Sequence, residues 1–131
     1  MADDLKKQFY HQIKSIKGLH AIVFSDTDGV PVLKVADEKT RESPEFYERP
    51  GFLSTFPLAS DLAGKLGFGK NEYFVCGYEK HTIVQFNIQP LTISLIADES
   101  TNTGLLLNLG KDLATSLEAE KLRQIVNVNK D

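Results

Sequence analysis

Apolar positions along the chain switch between a helical and an extended period, and the switches mark out its elements. Leu5, Phe9, Ile13 and Ile16 fall on one helical stripe, with Lys6, Lys7, Lys14 and Lys17 off it. Asp3 and Asp4 suit the positive N-terminal end of such a helix, and Gly18 after Lys17 suits its stop. Leu19–Ser25 is rich in β-branched and aromatic residues and reads as a strand. Asp26-Thr27-Asp28-Gly29 is turn chemistry, with Asp28-Gly29 closing a hairpin and Gly29 at positive φ. Val30–Ala36 is the return strand, and Pro31, which has no N–H for a ladder, places it at a sheet edge.

The stretch from Asp37 to Gly51 is polar and carries Pro44 and Pro50, so it reads as a surface loop. A second helix is expected from about Phe52–Ser54 to Leu66. With Ser54 as N-cap, Pro57 lies in the first turn, where no intrahelical donor is needed. Gly67-Phe68-Gly69 ends it. Three strands follow, Glu72–Lys80, Thr82–Ile88 and Leu91–Asp98, with turns near Lys80-His81 and Gln89-Pro90. Val84, Phe86 and Ile88 alternate with Gln85, Asn87 and Gln89, the pattern of a half-buried strand. Leu91, Ile93, Leu95 and Ile96 leave little alternation, so that strand should be buried on both faces. Asn102 or Thr103 caps a last helix carrying Leu106, Leu109, Leu113 and Leu117, then Leu122, Ile125 and Val126.

Helix, hairpin, helix, three-strand meander and helix make an α+β domain over residues 1–131, with the surface loop at 37–51. The first hairpin is too apolar for a sheet covered on one side, so helices are expected on both faces of a five-stranded, mostly antiparallel sheet. Joining the apolar first and fifth strands puts the second and third at the edges.

Composition narrows the function. The 131 residues hold 15 Lys+Arg against 18 Asp+Glu, a formal net charge of −3, which argues against a nucleic-acid binder. The lone Cys76 excludes an intramolecular disulfide and a multi-Cys zinc site. Met1-Ala2-Asp3-Asp4 is acidic and unlike a signal peptide, and no apolar run of about 20 residues exists. Ala2 stands where myristoylation needs Gly, and no prenylation Cys ends the chain. The expectation is a cytosolic protein, held at a membrane only through something else.

No active site assembles from the residues. Gly64-Lys65-Leu66-Gly67-Phe68-Gly69-Lys70 has the glycine spacing of a phosphate loop, but Asn71 stands where the hydroxyl residue belongs and a helix ends where one should begin. Asp26-Thr27-Asp28-Gly29 starts like a calcium loop, but the later ligand positions are Val30 and Asp37. His11, His20 and His81 show no helical pair spacing for a metal, and no nucleophile elbow surrounds any serine. Cys76 reads as a core or interface thiol. Asp3-Asp4 and Glu118/Glu120 read as solvated helix positions. No enzyme, cofactor or metal is expected, and elimination leaves a binding module.

One positive signal remains. At 100° per residue, Leu58, Leu62, Leu66, Ala59, Phe52, Ala63, Phe56 and Ser60 cover an arc of roughly 200°, about twice what packing on one surface needs. Small residues among them would let another backbone approach. The strand Tyr73-Phe74-Val75-Cys76-Gly77-Tyr78 has neither charge nor Pro, an edge that aggregates unless covered. A second chain that extends the sheet and lays its own helix alongside would cover both. The candidate interface is therefore Phe52, Phe56, Ala59, Ser60, Leu62, Ala63 and Leu66 on the helix, with Tyr73, Phe74, Val75, Cys76, Gly77 and Tyr78 on the strand.

Several blocks carry a family resemblance: Gly18–Val23 with Asp26–Ala36 (DTDGVPVLKVA), Arg49–Thr55 (RPGFLST), Lys65-Leu66-Gly67, Val84–Asn87, Pro90-Leu91 and Asn102–Leu105. Together, over about Asp3 to Val126, the chain resembles the roadblock (dynein light chain) family. Within it, the chain is similar to the MAP-kinase scaffold subunits of the Ragulator, the late endosomal/lysosomal adaptor complex. The loop Asp37–Glu48 and Pro57 depart from that pattern. The resemblance implies no enzyme activity and a heterodimer with a second roadblock subunit through the second helix and third strand. It further implies a lipidated tethering subunit among other Ragulator subunits, recruitment of Rag GTPases and the mTOR kinase complex, and scaffolding of MEK and ERK kinases. The implied location is the cytosolic face of late endosomes and lysosomes. Two other classes stay open on the residues alone: a longin-like or ligand-sensing regulatory module acting on small GTPases, and a small hydrolase using His20 or His81.

Overall fold

A computed structural model describes residues 2–37 and 51–129. Apart from its two end residues, the surface loop expected at 37–51 lies outside them. The elements run α1 (Ala2–Ser15), β1 (Leu19–Ser25), β2 (Pro31–Ala36), α2 (Thr55–Gly64), β3 (Tyr73–Gly77), β4 (His81–Ile88), β5 (Leu91–Asp98), α3 (Thr103–Ala114) and α4 (Leu117–Asn129).

The five strands form one antiparallel sheet in the order β2-β1-β5-β4-β3, which is the order expected from adjacency. β5 lies at its centre and is buried from Leu91 to Ala97. On one face, Phe9 and Ile13 of α1 and Leu106 and Leu113 of α3 pack over Ile22, Phe24, Phe86, Ile93 and Leu95. Phe9 stacks on Phe24 with ring centroids 5.3 Å apart. α3 approaches β4 so closely that a Cβ on Gly110 would lie 2.0 Å from the Phe86 ring. On the other face Ala21, Val23, Ile83 and Ile96 gather with Leu53, the residue leading into α2. Helices thus cover both faces.

Two sequence readings are refined. β4 was expected to keep one wet face, yet it is buried from Thr82 to Phe86. Gln85 can lie inside because its amide donates to Ser94 Oγ at 3.1 Å, and a buried polar group with a partner costs little. The final helix is divided in two at Thr115-Ser116. The Thr115 hydroxyl donates back to the Lys111 carbonyl at 3.1 Å and the Ser116 hydroxyl to the Leu113 carbonyl at 2.7 Å. Ser116 Oγ then accepts from the Ala119 N–H at 3.1 Å, the N-cap geometry of a new helix. Leu122 and Ala119 of α4 join the core, and Arg123 Nε reaches the Ile88 carbonyl at 2.9 Å. At the start of α3, Asn102 is the cap: its side-chain oxygen accepts from the Leu105 N–H at 3.1 Å.

The first hairpin closes as its residues suggest. Asp26 Oδ1 accepts from the N–H groups of Asp28 and Val30, each at 2.9 Å, and Gly29 sits at φ +84°. A Cβ on Gly29 would also lie 2.8 Å from the Ser54 nitrogen, so the hairpin tip is pressed against the start of α2. Gly29→Val should destabilise the domain by roughly 1–3 kcal/mol through the disfavoured φ alone, before any displacement of Ser54. Thermal unfolding followed by circular dichroism checks this; an unchanged melting temperature would contradict the turn geometry.

Candidate protein interface

α2 divides its wide apolar arc between two sides. Ser54 is the N-cap, with φ −81° and ψ −13° and no side-chain cap bond, and Pro57 takes the third helical position, where a missing N–H leaves no bond unmade. Towards the sheet, Phe56 is 2% exposed and its ring meets Phe74 of β3 edge-on at 5.4 Å. Ser60 Oγ accepts from the Asn87 side-chain amide at 3.4 Å. Away from the sheet, Leu58, Leu62 and Leu66 follow one another at i, i+4, i+8 and stand 67%, 66% and 69% exposed. Phe68, just beyond, is 91% exposed. Covering one such side chain is worth roughly 1.5–3 kcal/mol, and contiguous exposed apolar surface of this kind marks an interaction site.

β3 supplies the second half. Its ladder phase follows from two flanking bonds: the Asn87 N–H donates to the Glu72 carbonyl at 2.8 Å, and the Tyr78 N–H donates to the His81 carbonyl at 2.7 Å. Antiparallel bonds alternate along a strand, so Glu72, Phe74, Cys76 and Tyr78 bond towards β4. The N–H and C=O groups of Tyr73, Val75 and Gly77 then point out of the sheet edge. Side chains alternate as well. Phe74 turns towards α2, while Tyr73 lies over Phe86 on the opposite face at 5.3 Å. Tyr73, Val75 and Tyr78 remain 36%, 44% and 58% exposed. A shallow depression of about 430 Å³ bounded by Ala63, Leu66, Phe68 and Tyr73 joins the end of the helix to the strand.

The structure therefore brings Ala63 and Leu66 beside Tyr73; Leu62, Val75, Gly77 and Tyr78 are exposed too, with Val75 on the Tyr73 face of the strand and Tyr78 on the Phe74 face. Phe56 is withdrawn into the chain's own packing, Phe74 is partly covered and meets Phe56 of α2, Cys76 is half-buried, and Phe52 leans on the Ala21–Ile96 cluster. Ala59 and Ser60 are half-buried. Leu58 and Phe68 belong to the surface but were not among the expected residues. Leu58 begins the i, i+4 stripe, and Phe68 is an aromatic residue set in a glycine loop; both signals were in the sequence.

The motifs set aside above remain structural. Gly64–Lys70 ends α2 and leads towards β3, the reverse of a phosphate loop. The Asp26 carboxylate is taken by the turn. Strand pairing does bring His20 and His81 together, with ring centroids 6.1 Å apart. Nearby, the hydrogen bond with the Glu99 side chain, then the Ser100 N–H, then the charge of His20, hold the Asp98 carboxyl below its usual pKa. Among the described residues no three His, Cys, Asp or Glu side chains are placed to hold a metal ion. A cleft of about 530 Å³ runs between the hairpin turn and α2, lined by Asp28, Asp61, Asn87 and Leu91 among others. Among the described residues no helix is long and apolar enough to cross a membrane.

Comparison with known proteins gives these surfaces a context. Residues 3–126 match the family described as mitogen-activated protein kinase kinase 1 interacting. A Homo sapiens protein named Ragulator complex protein LAMTOR3 is 53% identical over 129 residues, covering 98% of this chain and 100% of its own. The protein of that name from the fish Pagrus major is also 53% identical, over 98% of this chain and 99% of its own. Among solved structures, a roadblock/LC7 domain from Streptomyces avermitilis superposes with TM-score 0.66 at 10% identity, over 86% of this chain and 92% of that one. A structure described as MglB with tetrameric arrangement gives TM-score 0.71 at 15% identity, over 95% and 89% of the two chains. At such identities these two show a shared fold, that of roadblock domains.

Inward and outward positions on α2 should respond oppositely to mutation. Phe56→Ala should cost about 3–5 kcal/mol of domain stability. Leu62→Ser, already solvent-exposed, should stay within about 0.5 kcal/mol. Chemical denaturation of the two variants measures both, and equal effects would mean that the two sides of α2 are misassigned.

Proposed function

Since the chain belongs to the mitogen-activated protein kinase kinase 1 interacting family, we propose that it pairs through α2 and β3 with a second roadblock-fold subunit and works as one half of a signalling scaffold. As a member of that family, with relatives named as Ragulator subunits, it is an adaptor and not an enzyme. The observation that carries the pairing is that Leu66 and Phe68, at the end of the exposed stripe, adjoin Tyr73, where the outward backbone of β3 begins. A partner strand laid on β3 would satisfy that backbone and extend the sheet, and the partner's helix would then cover the leucine stripe. The apolar centre of the seam favours a lasting association, since obligate interfaces resemble a domain core cut in half.

The finer assignment rests on the relatives. The human protein is named for the Ragulator complex, and the family for interaction with mitogen-activated protein kinase kinase 1. We place this chain accordingly in a Ragulator-type assembly on the cytosolic face of late endosomes and lysosomes. A lipidated subunit tethers it there, Rag GTPases and the mTOR kinase complex are recruited to it, and MEK and ERK are its kinase clients.

Co-expression with a roadblock subunit of the same assembly tests the pairing, with the mass of the purified complex as readout. The expected result is a one-to-one complex. Val75→Pro removes an outward N–H and leaves the β3–β4 ladder untouched, and Ala63→Glu sets a charge at the seam. Each should weaken association by several kcal/mol, roughly 100-fold or more. Co-purification of both variants at full stoichiometry would refute the interface.

A further inference from the structure

The sheet edge opposite β3 carries a surface of another kind. α1 packs Phe9 and Ile13 inward. On its outer side Lys6, Lys7, Tyr10 and His11 adjoin one another at helical spacing, and with Lys34 and Ala36 of β2 they line a groove of about 400 Å³. Lys14 Nζ lies 4.7 Å from the Tyr10 ring centroid, so a further ammonium stands at the end of the groove, held on the ring face. Lys6, Lys7 and His11 are exposed, Tyr10 is half-buried, and Val35 beneath is buried. Among the described residues no Asp or Glu lines the groove. This gathering of cations belongs to a chain whose formal net charge is −3.

We propose that this groove docks an acidic segment of a partner protein, an extended stretch rich in Asp and Glu, at a site separate from the α2–β3 seam. Lys6 to Lys14 spans about 12 Å along a helix, the length of three to four extended residues. Carboxylates on such a segment would meet the ammonium groups along α1, with β2 as the other wall of the groove. The Tyr10 ring, with its hydroxyl, gives the floor an apolar patch bounded by polar groups, which suits a peptide with one aliphatic residue among its acids. A concave site between two elements does not match a flat lipid surface. A polyphosphate has no aliphatic group to set on the Tyr10 ring and would need a longer track of cations. Because β2 and β3 are opposite edges of the sheet, both surfaces can be occupied at once.

The test is fluorescence anisotropy of the full chain with a labelled peptide, Gly-Glu-Glu-Leu-Glu-Glu-Gly, at low and moderate salt, beside the same peptide with every Glu replaced by Gln. Saturable, salt-sensitive binding of the Glu peptide only is expected. Lys6→Glu with Lys7→Glu should weaken it at least tenfold, and Lys6→Gln with Lys7→Gln at least threefold, each with unchanged circular dichroism. Lys111→Glu with Lys121→Glu, on exposed positions of α3 and α4, should leave it within twofold. The proposal is overturned by absence of saturable binding, by equal loss in the α3/α4 control, or by equal binding of the Gln peptide. It is overturned equally if phosphatidylserine vesicles or duplex DNA bind in a Lys6- and Lys7-dependent manner while the peptide does not.

Discussion

A sheet that is apolar on both faces has to be covered twice, and in this chain the two covers are unequal. α1, α3 and α4 gather on one face, where Phe9, Ile13, Leu106 and Leu113 close the larger core. The second face is served, among the described residues, by α2 and the turn before it. α2 is ten residues long and anchors itself with Phe56 and Leu53. A short helix that spends one large aromatic and a few small residues on its own sheet has its leucines left over. The leucine stripe and the exposed β3 edge are therefore two aspects of one constraint: among the described residues a single short helix serves the second face.

Strand order was legible because adjacency and polarity agreed. The hairpin and the meander are local, Pro31 marks β2 as an edge, and β5 lacks alternation as a central strand should. Helix limits were less legible. Leucines continue with helical spacing across Thr115-Ser116, and only the side-chain hydroxyls, bonding back to the preceding turn, stop α3 there. Gln85 was read as wet because alternation records polarity, whereas burial depends on what lies above the strand. Ser94 made the inside tolerable, and Ser94 is nine residues away. Exposure along the candidate surface differs residue by residue from the helical arc: Leu62 and Leu66 face water, whereas Phe56 is buried. A helical arc cannot tell which half faces home. Phe56 turned inward because Phe74 was there to receive it, a contact between residues far apart in sequence.

The two sheet edges express different chemistry. β2 ends the sheet with a proline and a lysine and lies under a lysine-bearing helix, all of which discourage another strand from adding there. β3 carries no charge over Tyr73–Tyr78 and presents alternate backbone groups outward. Such asymmetry gives the molecule a direction. On the two proposed modes of binding, one end would take a lasting apolar association and the other a reversible, salt-sensitive contact. An adaptor built so would keep its structural partner and its clients from competing.

The leucine stripe also bears on how long the chain survives in a cell. With Leu58, Leu62, Leu66 and Phe68 open to water, a newly made copy displays the kind of surface that chaperones hold and proteases clear. On the pairing proposed above, filling the seam would remove that surface and the copy would escape triage. Abundance of the subunit would then follow the supply of its counterpart rather than its own rate of synthesis, with four exposed side chains as the regulator.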